Sequence, residues 1–521
     1  MARLPQPGSD QGTWGDVLND YLSQSHAADG SLKADSVGGP QLKTNAVTAT
    51  AILDGTITEA KLNTAVQAKL NATGSVIADG TITTNKLDST IQTSLTKANT
   101  ALQVADISGK LDTTTATSTY APLRKPTVIL FGDSRTADCS YNGGTMDYST
   151  NMSWWDFGQS FRSGGPVLEV IRNAGIGGNT TAQMLARMQV DVLAYSPSYI
   201  TLWGGTNDPW SSVAEVDNSY ARMVQMIDMA HAAGVYVFLI SETTANSKGG
   251  EFPKYVAYYN DKLRWYAANN VDIEFWDFNS FVVDPTNING FNKAVMLRDG
   301  LHLSPFGAST IGKFIVAPRL ARLSTELTQL TVSQIDSQSI STVSRNIVNN
   351  PLMLGTAGVP GSGHTGTLPT GWTSSGNVVT FSQVARTDGV GNDIQAVLSA
   401  TSTSSVFLNQ TITSTRIIPG KKYVIEAALS IVANTNLSSV ALTCSMYAAG
   451  GVEYRRGFGY PVQATAAGDS MSAGDLVVRS RVFTAPSDVY TGVTLILRLG
   501  PSSSTATATV RLGRVSVRQL D

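Results

Sequence analysis

This chain is poor in cysteine, poor in charge and without any long apolar run, and each shortage closes off a class of protein. Cys139 and Cys444 are the only 2 cysteines in 521 residues, so no disulfide framework staples the fold. Paired-cysteine and His-x-x-Glu spacings are missing, and the Asp-Gly pairs at Asp54 and Asp79 lack the alternating acids of a calcium loop. Neither a metal nor a cofactor is expected. No stretch of about 18 apolar residues occurs, so membrane insertion is not expected, and the first residues carry no apolar signal segment. Charged residues are 15% of the chain, with 37 Lys and Arg against 39 Asp and Glu, which leaves no global field to attract nucleic acid. What is abundant is Gly, Ser and Thr, a composition common in extracellular β-rich and fibrous proteins. The length exceeds one core, and about 150 residues per domain predicts about three units.

Residues 1–124 cannot enclose a core alone. Trp14, Val17, Leu18, Tyr21 and Leu22 recur at helical spacing and predict one short amphipathic helix whose apolar stripe needs a partner. Asp54-Gly55-Thr56-Ile57-Thr58 with Lys61-Leu62 returns 25 residues later as Asp79-Gly80-Thr81-Ile82-Thr83 with Lys86-Leu87. Each copy runs into a thin apolar stripe: Leu62, Val66, Leu70, then Leu87, Ile91, Leu95. Such a stripe is covered only when several chains wind together; otherwise the segment is a disordered linker.

From 125 to 323 the pattern changes to short β-branched and aromatic runs alternating with helical stretches. Thr127–Phe131, Val167–Ile171, Tyr199–Trp203, Val235–Ile240 and Ile273–Trp276 read as strands buried on both faces. Helices are predicted near 180–194, 212–233, 253–269 and 305–322. That alternation predicts a parallel sheet with helices on both sides.

Four short stretches sit where such a sheet places its chemistry: Gly132-Asp133-Ser134, Asn173-Ala174-Gly175-Ile176-Gly177-Gly178, Gly205-Thr206-Asn207-Asp208, and Asp299-Gly300-Leu301-His302. Ser134 is a weak nucleophile until a base takes its proton, and His302 is the candidate base. Asp299, three residues before it, is placed to hold the imidazole in the tautomer that faces the serine. The oxyanion formed on attack needs preset donors: the backbone N–H groups of Ser134 and Gly178 and the side-chain amide of Asn207. Asp133 and Asp208 read as turn braces, His231 as a helix-end residue, and His26 and His364 as histidines without an orienting acid. A glycosidase using Asp133 and Asp299 would leave Gly178 and Asn207 unexplained.

These four blocks, in this order, resemble the SGNH or GDSL-type hydrolases. The resemblance implies a flavodoxin-like α/β/α domain acting as a serine carboxylic-ester hydrolase. It implies catalytic Ser134, Asp299 and His302, with an oxyanion hole of Ser134, Gly178 and Asn207. One departure is Arg135, where family members often carry Leu or Ile.

Residues 324–349 read as a polar linker and 350–521 as a β-sandwich of short strands punctuated by turns such as Pro419-Gly420. Its ends resemble carbohydrate-binding jelly-roll modules, and Trp372, with Tyr454 and Tyr460, is a candidate surface for stacking on a sugar. The repeats of residues 1–124 resemble phage tail fibres and minor tail proteins, which implies a homotrimeric stalk bound to other tail proteins. The whole is expected to be a multidomain virion component made without a signal peptide. It removes short acyl groups, O-acetyl foremost, from a host cell-surface glycan or another acylated envelope polymer. The rival readings are a non-enzymatic adhesin and a free secreted lipase or carbohydrate esterase.

Overall fold

The computed structural model describes residues 3–44, 57–73, 88–91, 126–323, 327–337, 339–340, 343–344, 346–461 and 469–521. The chain divides into two compact units, Met1–Ala121 and Pro122–Asp521. In the first, the predicted amphipathic helix forms as Trp14–Leu22 and buries none of its residues. Trp14 is 46% exposed and Leu22 41%, so the apolar stripe is uncovered within the described part of the chain. The first repeat ends in a helix, Thr64–Thr73. The second repeat, 79–87, lies outside the described residues.

The second unit is built on five parallel strands in the order β4-β1-β5-β6-β7: β1 (Thr127–Gly132), β4 (Glu169–Gly175), β5 (Tyr199–Trp203), β6 (Tyr236–Ile240) and β7 (Ile273–Trp276). The near-continuous apolar character of β1, β5 and β6 follows from burial on both faces, whereas the edge strand β4 buries only Ala174. Ile129, Phe131, Ile200, Leu202, Val237 and Leu239 form one core with helices Thr181–Asp191, Val213–Ala232 and Phe252–Ala268. Val128, Leu130, Trp203, Phe238 and Ile240 point the other way, into a core shared with helices Trp154–Phe161 and Pro305–Ile311. Alternate residues of one strand thus serve opposite layers. Serine and threonine caps start the helices: Thr180 and Ser212 each close a capping box, with Gln183 and Glu215 respectively.

The C-terminal region is β-rich, supplying all seven strands of one sheet and five of a second, whose apolar faces meet in one core. Across the expected boundaries at 323 and 349, that core is continuous with the second layer of the parallel sheet. A hairpin between β1 and β4, β2 (Ser140–Gly143) with β3 (Met146–Thr150), leaves the hydrolase-like segment and extends a C-terminal sheet. It does so by pairing β3 in parallel with strand Glu453–Tyr460. Phe157 meets Phe458 edge-on at 5.4 Å across the same seam. The expected linker 324–349 needs correction. Thr331, Asn346, Ile347 and Val348 are buried, and the Ile347 N–H donates to Val517 O at 3.0 Å, so burial and main-chain pairing make these residues part of the β-region.

Candidate active site

The site gathers at the carboxyl ends of β1, β4 and β5, with a fourth loop from before helix Pro305–Ile311. β1 stops at Gly132, where a Cβ would lie 2.3 Å from Thr136 Oγ1 and 2.6 Å from Trp203 O. Only glycine allows that approach. Asp133 then caps the four-residue helix Ser134–Ala137 by accepting the Arg135 N–H at 3.0 Å. Ser134 is therefore held on the first turn of a helix facing the loop of His302.

The Ser134 hydroxyl donates to His302 Nε2 at 2.8 Å, and His302 Nδ1–H donates to Asp299 Oδ2 at 2.8 Å. The second Asp299 oxygen accepts the N–H of Leu301 at 3.1 Å and of His302 at 2.8 Å. This is an Asx-type turn, made possible by Gly300 at φ +81°. Burial acts to raise the Asp299 pKa, but the backbone and imidazole hydrogen bonds from His302 outweigh it and hold the carboxylate below its ordinary value. Arg298 reinforces the turn: its N–H donates to His302 O at 2.9 Å, and its guanidinium pairs with Asp138 at 2.9 Å. The proton therefore has a continuous path from hydroxyl to imidazole, with the imidazole fixed by an anion.

The donor loops close around the same serine. Asn173 Nδ2 donates to Thr136 O at 2.9 Å and to Ser140 Oγ at 2.8 Å, clamping the β4 loop onto the serine helix. A Cβ on Gly177 would lie 3.9 Å from Ser134 Cβ. Gly178 sits at φ +76°, a conformation glycine adopts without strain, and its N–H takes no acceptor among the described residues. The Ser134 N–H stands at the first helical position, which has no intrahelical acceptor. Asn207 Nδ2 donates one hydrogen to Asn179 O at 3.1 Å, which aims the amide and leaves its second hydrogen for a ligand. Asp208 braces this loop from below: it is buried and accepts the Thr181 N–H at 2.8 Å and the Ser219 hydroxyl at 2.8 Å.

Ser134, His302 and Asp299 are thus in direct contact, with Gly178 and Asn207 on the loops beside them. Trp372 is not with them. It is fully buried, and its indole N–H points to Asn350 O at 3.4 Å, so no face is open to a sugar and its selection as a binding residue is corrected to a core residue. Apolar burial of the whole indole outweighs stacking at a surface. Tyr460 is likewise engaged, its ring 4.8 Å from Tyr148 and under the Arg455 guanidinium at 4.6 Å. Asp133 lies fully buried against Arg135, which removes it as one of two glycosidase carboxylates. Sequence reading passed over Glu242, a fully buried acid contacting Arg135, although a lone acid two residues past the end of an apolar parallel strand was visible as its signal.

Residues 130–309, about a third of the chain, match the model of the GDSL-like lipase/acylhydrolase family. An uncharacterized lipoprotein of Bacillus subtilis is 37% identical over 81 residues, 16% of this chain and 31% of that protein. The matched part thus spans about a third of the length of that relative. Among solved structures, the lipase/acylhydrolase from Enterococcus faecalis is 22% identical, covering 39% of this chain and 99% of that one, with a TM-score of 0.29. A GDSL-like lipase from Bacteroides thetaiotaomicron is 22% identical, covering 39% and 94%, with a TM-score of 0.29. An acetylxylan esterase from Geobacillus stearothermophilus is 16% identical, covering 39% and 97%, with a TM-score of 0.30.

Proposed function

We propose that the GDSL-like acylhydrolase domain at residues 130–309 is a serine esterase acting on short acyl esters of a glycan. The observation that carries this is the unbroken contact chain Ser134–His302–Asp299, with each link at 2.8 Å. His302 Nε2 takes the hydroxyl proton as Ser134 Oγ attacks the ester carbonyl. The imidazolium formed is stabilised by Asp299. The developing oxyanion lies against the N–H groups of Ser134 and Gly178 and the free amide hydrogen of Asn207. Collapse of that intermediate expels the alcohol, which receives the proton from His302. The acyl-enzyme is then cleared by a water that His302 deprotonates in the same way.

The glycan rests on a different footing, the likeness of the C-terminal ends to carbohydrate-binding modules, and O-acetyl is proposed as the short acyl group to test first. The repeats and the uncovered stripe of helix Trp14–Leu22 support a tail-fibre setting: a homotrimeric stalk joined to other tail proteins, carried on the virion to the host surface. Turnover of p-nitrophenyl acetate is expected in the full chain and falls to background in Ser134→Ala. Asn207→Ala slows it by about 10²–10³-fold, the usual cost of one oxyanion donor. Acetate release from purified host cell wall tests the substrate. A full chain that binds cells but cleaves neither substrate would sink the esterase reading and leave an adhesin.

A further inference from the structure

Flanking Ser134 in the chain, Asp133 and Arg135 belong to a group of buried charges that the hydrolytic steps do not use. The Arg135 guanidinium is fully buried and spends all five of its N–H donors. Nε donates to Asp133 Oδ1 at 3.0 Å and Nη2 to Asp133 Oδ2 at 2.6 Å, forming one fork. Nη1 donates to Glu242 Oε1 and Nη2 to Glu242 Oε2 at 3.0 Å, forming a second. The remaining Nη1 hydrogen goes to Thr243 Oγ1 at 3.1 Å, and the plane of the group lies 4.3 Å from the Trp203 ring centre. Glu242 is equally occupied. Its Oε2 also accepts the Thr206 N–H at 3.0 Å and its Oε1 the Thr243 N–H at 2.8 Å. Its own backbone is pinned through Asn260, which accepts the Glu242 N–H at 2.7 Å and donates to its carbonyl at 2.8 Å.

Stability does not account for this arrangement. Buried ion pairs contribute little net stability against an apolar replacement, because desolvation offsets their attraction. Burial indeed pushes the Glu242 carboxyl upward, with Arg135 opposing it. What a planar, five-donor group supplies is geometry. This one joins two strand ends directly, β1 through Asp133 and β6 through Glu242, and Glu242 in turn holds the β5 end by accepting the Thr206 N–H.

Thr206 immediately precedes Asn207. Resting on the esterase reading, we infer that Glu242, clamped by Arg135, is a positioning residue that sets the Asn207 amide relative to Ser134. Glu242 touches no reacting atom. It acts through the Thr206 N–H, with Arg135 holding its carboxylate in place. A displacement of about 1 Å in such a donor costs on the order of 10²-fold in rate.

The test is a double-mutant cycle on the full chain with p-nitrophenyl acetate. Glu242→Gln keeps size and shape but turns one acceptor into a donor facing Arg135. It should lower kcat by about 10–100-fold and change KM by no more than about twofold. Combined with Asn207→Ala it should cost at most about twofold beyond Asn207→Ala alone, since the donor that Glu242 places is already gone. Losses that multiply, or an unchanged kcat in Glu242→Gln, would overturn the inference. If Glu242→Gln fails to fold by circular dichroism, Glu242→Asp, which keeps the charge but shortens the reach to the Thr206 N–H, enters the same cycle with the same expected outcomes.

Hydrogen exchange separates this inference from the esterase reading. In Glu242→Gln, or in Glu242→Asp where that variant serves, the peptide holding residues 204–210 should exchange at least about tenfold faster, while β1 stays protected. That result stands even if the wild type proves inactive on every ester. Unchanged exchange over 204–210 sinks the positioning role on its own.

Discussion

At the scale of single residues, the fourth loop shows how much chemistry three positions can hold. Asp299 both orients His302 and builds the turn that carries it, so its two oxygens have separable tasks. Asp299→Asn keeps a side-chain oxygen for the turn but loses the anion, and kcat is expected to fall by about 10³–10⁴-fold while the fold survives. The same variant exposes a pH effect. The folded pKa of Asp299 lies below its ordinary 3.8, so its contribution to stability is present above that value and fades as pH falls through the folded value. The difference in melting temperature between wild type and Asp299→Asn should therefore shrink on acidification below about pH 4. A difference that grows instead would contradict the depressed pKa. The cysteines offer a plainer case. Cys139 and Cys444 are free, and burial pushes each thiol up to about 12. Neither should be alkylated by iodoacetamide at pH 8 in the native protein, and both should react once it is unfolded in guanidinium.

At the scale of elements, what was legible followed from how many faces an element buries. Strands β1, β5 and β6 were readable because burial on both faces makes each a continuous apolar run, and Tyr199–Trp203 and Ile273–Trp276 match residue for residue; the edge strand β4, which buries only Ala174, runs over Glu169–Gly175 instead of the expected Val167–Ile171. The positions of Ser134, Gly178, Asn207, Asp299 and His302 were readable because each ends a strand or opens a turn. The hairpin Ser140–Thr150 was not, since Tyr141-Asn142-Gly143-Gly144 carries a polar turn signal and its partner strand, Glu453–Tyr460, lies some 300 residues away. Helix Trp154–Phe161 was also missed. It is buried nearly all round, from Trp154 to Ser160, and so has no polar face to set a period. Its packing gives a test. A Cβ on Gly158 would lie 2.3 Å from Val316 Cγ1, a branched side chain that has no room to withdraw. Gly158→Ala is expected to destabilise by about 1–3 kcal/mol in a urea titration. Val316→Ala in the same chain should recover most of that loss, whereas a merely local helix effect would leave it uncorrected.

At the scale of the molecule, the unit Pro122–Asp521 behaves as one body, because the hydrolase-like segment is not finished at its own last helix. β3 finds its second pairing partner in strand Glu453–Tyr460, and Asn151 donates to Ser438 O at 3.1 Å and, through its main chain, to Tyr460 O at 3.1 Å. Thr310 meets Ser472 at 2.9 Å, and the Lys313 ammonium donates to Ala473 O at 2.5 Å. Beneath these polar links the apolar core runs unbroken from Trp154, Phe157 and Val316 to Leu442, Phe458 and Leu476. Cutting the chain after residue 323 would expose that face to water and leave β2 and β3 as an isolated hairpin, which has marginal stability alone. Residues 122–323 expressed by themselves are therefore expected to bind a hydrophobic dye, to lose cooperative melting and to show no Ser134-dependent turnover, although every residue of the contact chain is present. Residues 122–521 should melt cooperatively and keep the turnover of the full chain within about twofold. A soluble, cooperatively folded and active 122–323 fragment would show that the β-rich region only decorates a self-sufficient hydrolase. The shared core predicts instead that sheet, hairpin and β-region fold together and place Ser134 together.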